Sequence, residues 1–206
     1  MKLLLYCTKA KPYLNDYRLM EGCNQFVLMN KPYNNLNGKV VAECDYEVEE
    51  IIFEGYGTGL GYKGTKTNQN KLANKSCLYT YRDIDGYLKG KNGYAIHIKN
   101  LNIFDELMGL SEYNKKIEYK KCDNCEEHCE FYYNKNTMFG ITNKGCTKYY
   151  LIRKAPQNMM YCYDGNDEKY VLISIQPKWL CKILNGEKTI EIRKVVLKEM
   201  LNDKKN

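Results

Sequence analysis

The chain has 206 residues, with 32 Lys and Arg against 25 Asp and Glu, a formal charge of +7. That length supports a real core, in one domain with insertions or in two small ones, and the excess of cations admits polyanionic partners without proving them. No stretch approaches the roughly 18 apolar residues of a membrane span, and Met1 to Tyr6 is too short for a signal peptide, so the composition excludes a membrane protein and implies a cytoplasmic chain.

In chain order, the first strong strand pattern is Val40 to Val48. Val40, Ala42, Cys44, Tyr46 and Val48 alternate there with Val41, Glu43, Asp45 and Glu47. Gly55 to Ser76 holds five glycines and the lysines Lys63, Lys66, Lys71 and Lys75 without an acidic residue, and reads as a mobile basic loop able to approach a phosphate backbone or simply to be solvated. Its glycines fit neither a Walker loop nor a dinucleotide fingerprint. Asp83 to Lys89 reads as a short helix. Tyr94 to Lys99 reads as a strand with Tyr94, Ile96 and Ile98 opposing Ala95, His97 and Lys99, and His97 reads as a core or cleft histidine ahead of a catalyst.

Ten cysteines in a reducing compartment are not expected to form disulfides. Cys44 and Cys162 fall in strand patterns and read as small core residues. Cys122, Cys125, Cys129 and Cys146 are spaced like ligands, with His128 as a substitute. Segment 115–146 otherwise lacks apolar periodicity, so a structural zinc ion would give this insert a centre. Unligated thiols are the alternative. Lys148 to Arg153 and Met159 to Tyr163 read as further strands. Asp164 to Lys169 is polar.

The C-terminal part is the most legible. Val171 to Ile175 reads as a buried strand, and Pro177 to Asn185 as a helix with proline at its first position and Gly186 at its end. Thr189 to Arg193 alternates like a strand, placing Thr189, Glu191 and Arg193 on one face and Ile190 and Ile192 on the other. Gly186-Glu187-Lys188-Thr189-Ile190-Glu191-Ile192-Arg193 therefore gathers Lys188, Glu191 and Arg193 where helix end and strand meet. A partly desolvated lysine beside a carboxylate can move protons or clamp an oxyanion; the plainer alternative is a Glu191–Arg193 pair and a solvated Lys188. Trp179, with Leu180, Ile183 and Leu184, reads as core.

This G-x-K-x-x-E-x-R string, preceded by Ser174-Ile175-Gln176-Pro177-Lys178-Trp179, resembles the signature of the ASCH domain of bacterial and phage-borne proteins. Leu3 to Lys9, Asn37 to Glu43, Gly93 to Ile98 and Arg153 to Tyr163 resemble other segments of that domain. The resemblance implies an α+β fold, a small PUA-like β-barrel with a few short helices, here carrying the cysteine-rich insert. In ordinary members the signature lies near the N-terminus, so the order implies a circular permutation. Residues 1–163 would be the main part of the barrel, 164–170 the linker, 171–194 the signature and 195–206 a tail. A truncated second copy, or a segment-swapped dimer in place of a monomer, are the alternatives.

The resemblance implies an RNA- or nucleotide-binding cleft of Lys188 and Arg193 with Tyr6, Thr8, Lys9 and Glu43. Twenty tyrosines and five phenylalanines add stacking surface. Some members remove the acetyl group of N4-acetylcytidine and others are ribonucleases, which makes Lys188 and Glu191 the catalytic candidates. Glu191 stands where those amidohydrolases have threonine, and their catalytic glutamate has no evident counterpart; Glu43 and His97 are the replacements to consider. A phage-borne interaction module holding a host protein through its cysteines is the third reading.

Overall fold

The computed structural model describes residues 1–8, 26–28, 31–33, 36–54, 61–63, 69–78, 80–119 and 146–202. Its strands are β1 (Lys2–Cys7), β2 (Phe26–Leu28), β3 (Lys31–Tyr33), β4 (Val40–Glu54), β5 (Gly61–Lys63), β6 (Gly93–Met108), β7 (Asn114–Tyr119), β8 (Cys146–Leu151), β9 (Met159–Tyr163), β10 (Lys169–Ile175) and β11 (Ile190–Arg193). The helices are α1 (Gln69–Lys75), α2 (Tyr81–Leu88), α3 (Pro177–Leu184) and α4 (Lys198–Asn202). The fold is thus α+β, and no described helix is long and apolar enough to cross a membrane.

One sheet runs in the order β11-β6-β4-β1-β10-β9-β7-β8, with β5 paired to β4, while β2 and β3 form a separate pair. β1 and β10 lie side by side and parallel, Leu3 opposite Val171 and Tyr6 opposite Ser174. Both are buried on two faces, which is why Leu3–Cys7 and Val171–Ile175 are nearly continuous apolar runs. The C-terminal segment therefore packs in cis against the first strand.

Three apolar clusters flank the sheet. Leu3, Leu5, Ile96, Val171 and Ile173 meet Leu180 and Ile183 of α3 and Met200 of α4. On the opposite face of β6 and β11, Ala95, Ile190 and Ile192 meet Leu72 of α1 and Ile84 and Leu88 of α2. Gly93 is needed there, because an added Cβ would lie 2.6 Å from the Leu88 side chain and 3.1 Å from the Arg193 carbonyl oxygen. Leu4, Tyr6, Cys162 and Leu172 form the third cluster with Tyr113 and Ile152.

Several expectations need correction. Among the described residues the ladder is open, not a closed barrel: β11 and β9 approach each other but do not pair. β11 stops after four residues, and Pro156, which has no N–H to donate, stands just ahead of β9. Side chains bridge the gap. Arg193 donates to the Asn158 side chain, and Asn158 donates to the Val195 carbonyl.

The supposed linker is a tight turn in which Asp164 accepts from the N–H groups of Asn166 and Glu168, and Lys169 and Tyr170 already belong to β10. The tail contributes α4, with Met200 in the core. Val40 to Val48 is only part of the longer β4, whose register shifts near Val40 and Glu43 turn Val40 away from Ala42 and Cys44. The described parts of the supposed basic loop are ordered: β5 carries Lys63, and α1 carries Lys71 and Lys75 above buried Leu72 and Ala73. Residues 115–119 and 146 of the expected insert are strand.

Candidate functional site

The signature begins as expected. Pro177 opens α3, Asn185 caps it, and Gly186 turns the chain at φ +76°, a value that strains any other residue. The turn then threads between two helix ends: the Lys188 N–H donates to the Lys182 carbonyl and the Thr189 N–H to the Lys75 carbonyl. β11 follows, with Glu191 opposite Ile96 and Arg193 opposite Tyr94.

Lys188 is not a solvated lysine. Its side chain is only 5% exposed, and those of Glu191 and Arg193 are 11% and 12% exposed. The Lys188 ammonium lies 3.2 Å from Glu191 Oε2 and donates to the Ser76 carbonyl at 2.8 Å. That carbonyl is available because of how α1 ends. Cys77 adopts a left-handed φ of +57°, Leu78 donates back to Ala73 and Cys77 to Asn74, and Ser76 is left facing the ammonium. A cation at a helix C-terminus is also favoured by the helix dipole.

The chain of charges continues outward. Glu191 Oε1 is 2.9 Å from Arg193 Nε, an ion pair whose N–H is not aligned as a hydrogen bond. The Arg193 guanidinium donates to Asn158 Oδ1 at 2.9 Å and to the Ser174 carbonyl at 2.7 Å. Burial lowers the proton affinity of Lys188 below the ordinary 10.5, against the opposing pull of Glu191. The Lys188 nitrogen also stands 5.4 Å from the Trp179 ring centre, and Lys178 lies over the same ring at 4.5 Å. Exposed Tyr87, whose phenol senses both Arg193 and Glu191, carries Lys194 over its ring at 5.2 Å. Trp179 packs against the core yet keeps part of its ring at this rim.

The structure therefore brings together Lys188, Glu191 and Arg193, and adds Ser76, Asn158 and the Ser174 carbonyl, which the motif does not announce. Other expected residues lie elsewhere. Tyr6 pairs opposite Ser174, but its side chain is in the third apolar cluster. Arg193 reaches Ser174 from the β9 side, whereas the β1 side is occupied by Thr8, whose N–H donates to Ile175. Glu43 binds Lys2 at 2.6 Å. It sits about 16 Å along β4 from Val48, which lies level with Glu191. His97 faces the α1–α2 side and pairs with Glu49 at 2.8 Å, so neither Glu43 nor His97 replaces a catalytic glutamate beside Lys188.

Lys9, Cys122, Cys125, Cys129 and His128 lie outside the described residues, as do the side-chain surroundings of Cys146. The backbone of Cys146 opens β8 opposite Tyr119. Burial pushes the thiols of Cys44 and Cys162 up to about 12, as expected of unreactive core residues.

A scan against protein-family models matches nothing, and neither do searches of curated proteins and of solved structures.

Proposed function

We propose that this chain is an ASCH-like RNA- or nucleotide-binding protein, with the Lys188–Glu191–Arg193 chain as the inner wall of its site. Trp179, Tyr87, Lys178 and Lys194 form the rim. The observation that carries the reading is an ammonium held almost out of water beside a carboxylate, beneath a partly exposed indole and among exposed lysines. Such a rim suits a base on an aromatic face and a phosphate on the cations. The cis pairing of β10 with β1 supports a permuted order of one domain.

Trp179 is the only tryptophan, so its emission reports this site. RNA or nucleoside phosphate should change that emission, and binding should weaken steeply as salt rises. Lys178→Ala with Lys194→Ala should weaken binding and reduce the salt slope by about one for each phosphate no longer neutralised. An emission indifferent to both ligands at low salt rejects the reading.

A second reading is favoured by the lowered proton affinity of Lys188: hydrolysis of a modified nucleoside such as N4-acetylcytidine, or of RNA, with Lys188 moving the proton and Glu191 setting its charge state. Comparing turnover by wild type and Lys188→Met, both shown to be folded by circular dichroism, tests it. Equal turnover removes Lys188 from the chemistry.

For the cysteines the proposal is one structural zinc ion. Cys146 stands at the neck of the β7–β8 hairpin opposite Tyr119, three residues before Cys122, so the neck offers one ligand close to where the next would enter. Metal analysis should find about one zinc per chain, removed when the four cysteines are replaced. A pull-down with that variant addresses a protein partner.

A further inference from the structure

The inner face of the sheet does not end at α4. On β10 and β9 this face carries Val171 and Tyr161, covered where the Glu199 N–H of α4 meets the Tyr161 hydroxyl. Two residues along, the same face carries Lys169 and Tyr163, and the register continues it to Asn114 and Lys116 of β7 and to Tyr149 and Leu151 of β8. Beyond α4 it emerges into solvent: Tyr149 is 44% exposed and Leu151 56%. This is not a plain polar sheet surface, because lysines alternate with rings. The Lys116 nitrogen lies 5.2 Å from the centre of Tyr163 and 5.7 Å from that of Tyr149, and the Lys169 nitrogen lies 4.3 Å from that of Tyr161.

We propose that this β8–β7–β9 face, with Tyr149 and Tyr163 as stacking rings and Lys116 and Lys169 as phosphate contacts, is a second contact surface for single-stranded nucleic acid. Charge complementarity selects the occupant. The cations are half-exposed, and the carboxylates that meet them, Asp167 and Glu199, are exposed ends that a phosphate can displace at little cost. Aromatic faces interleaved with lysines bind unpaired bases with little regard to sequence. The inference rests on the nucleic-acid reading of the Lys188 site and extends it. Lys169 precedes Ser174, whose carbonyl holds Arg193, by about 16 Å of β10, so a strand gripped at one place must extend to reach the other.

The test uses the full chain, a fluorescein-labelled oligouridylate of about eight nucleotides and uridine monophosphate. Anisotropy follows the oligonucleotide, and Trp179 emission follows the monophosphate at the Lys188 site. Tyr149→Ala and Lys116→Ala should each weaken oligonucleotide binding about tenfold and leave the monophosphate response of Trp179 unchanged. Tyr149→Phe loses the hydroxyl bond to Asp167 but keeps the ring, and should bind like wild type. If Tyr149→Ala binds the oligonucleotide normally while Lys178→Ala with Lys194→Ala does not, this inference fails and the Lys188 reading stands. If neither ligand binds wild type, both fail. If Tyr149→Phe loses as much as Tyr149→Ala, stacking is not the role. If wild type self-associates, Tyr149→Ala does not, and nucleic acid affects neither, the face is a contact between copies of this chain and the proposal is overturned.

Discussion

Lys188 and Lys116 both stand over aromatic rings and beside carboxylates, yet the two lysines are in different physical situations. Lys188 is 5% exposed, 3.2 Å from Glu191, and its proton affinity is lowered by burial. Lys116 is 21% exposed and 3.8 Å from Asp167; its slight burial is outweighed by Asp167 and the two tyrosines, and its proton affinity is raised. Depth in the fold, more than the choice of partners, decides whether a cation is a fixed part of the interior or an exchangeable group on the surface. The first can tune chemistry and position a ligand. The second can release its carboxylate for a phosphate.

The sharpest way to break this contrast is to remove the shared carboxylate of the buried chain. Glu191→Gln leaves two buried cations facing each other, and should cost about 3–5 kcal/mol by urea denaturation. Lys188→Met keeps the Glu191–Arg193 pair and orphans the Ser76 carbonyl, so its effect should be smaller, about 1–3 kcal/mol. A Lys188→Met cost exceeding that of Glu191→Gln would mean that the charges do not act as a chain. At the exposed end, Lys116→Ala should change stability by less than about 1 kcal/mol, while weakening the binding of an oligonucleotide.

pH separates the same two lysines by sign. For Lys188 the unfolded chain holds its proton more tightly than the folded one. Its ionisation therefore penalises folding below the lowered folded value, and the penalty is relieved as pH rises toward 10.5. For Lys116 the folded chain holds the proton more tightly. That contribution is complete below 10.5 and disappears as pH rises through the raised value. The stability of wild type relative to Lys188→Met should rise between mildly alkaline pH and 10.5, a gain absent for Lys116→Ala. A fall in that interval would place Lys188 in a solvated setting.

Much of the C-terminal segment was legible because local chemistry dictates it. Pro177 and Gly186 bracket α3, and the alternation after Lys188 sets which face Glu191 takes. The reach of β4 and β6 was hidden by their polar halves, where Glu49, Glu50, Asn100 and Asn102 interrupt the apolar pattern and the register shifts break it. α1 was missed because only Leu72 and Ala73 of an Asn- and Lys-rich stretch are buried. The depth of Lys188 could not be read at all. Its backbone acceptor is 112 residues away, and Asn158 is 35 from Arg193, so the motif supplied the charges but the tertiary fold decided their surroundings. The same resemblance suggested Tyr6 and Glu43 as neighbours, and strand register sends both elsewhere.

The most direct test of the central claim is a Trp179 fluorescence titration of the folded wild-type protein with nucleoside phosphate and short RNA at rising salt. The account predicts saturable changes in emission that weaken as salt rises, and that diminish in Lys178→Ala with Lys194→Ala. Emission that stays constant at low salt, with the protein folded, would contradict it.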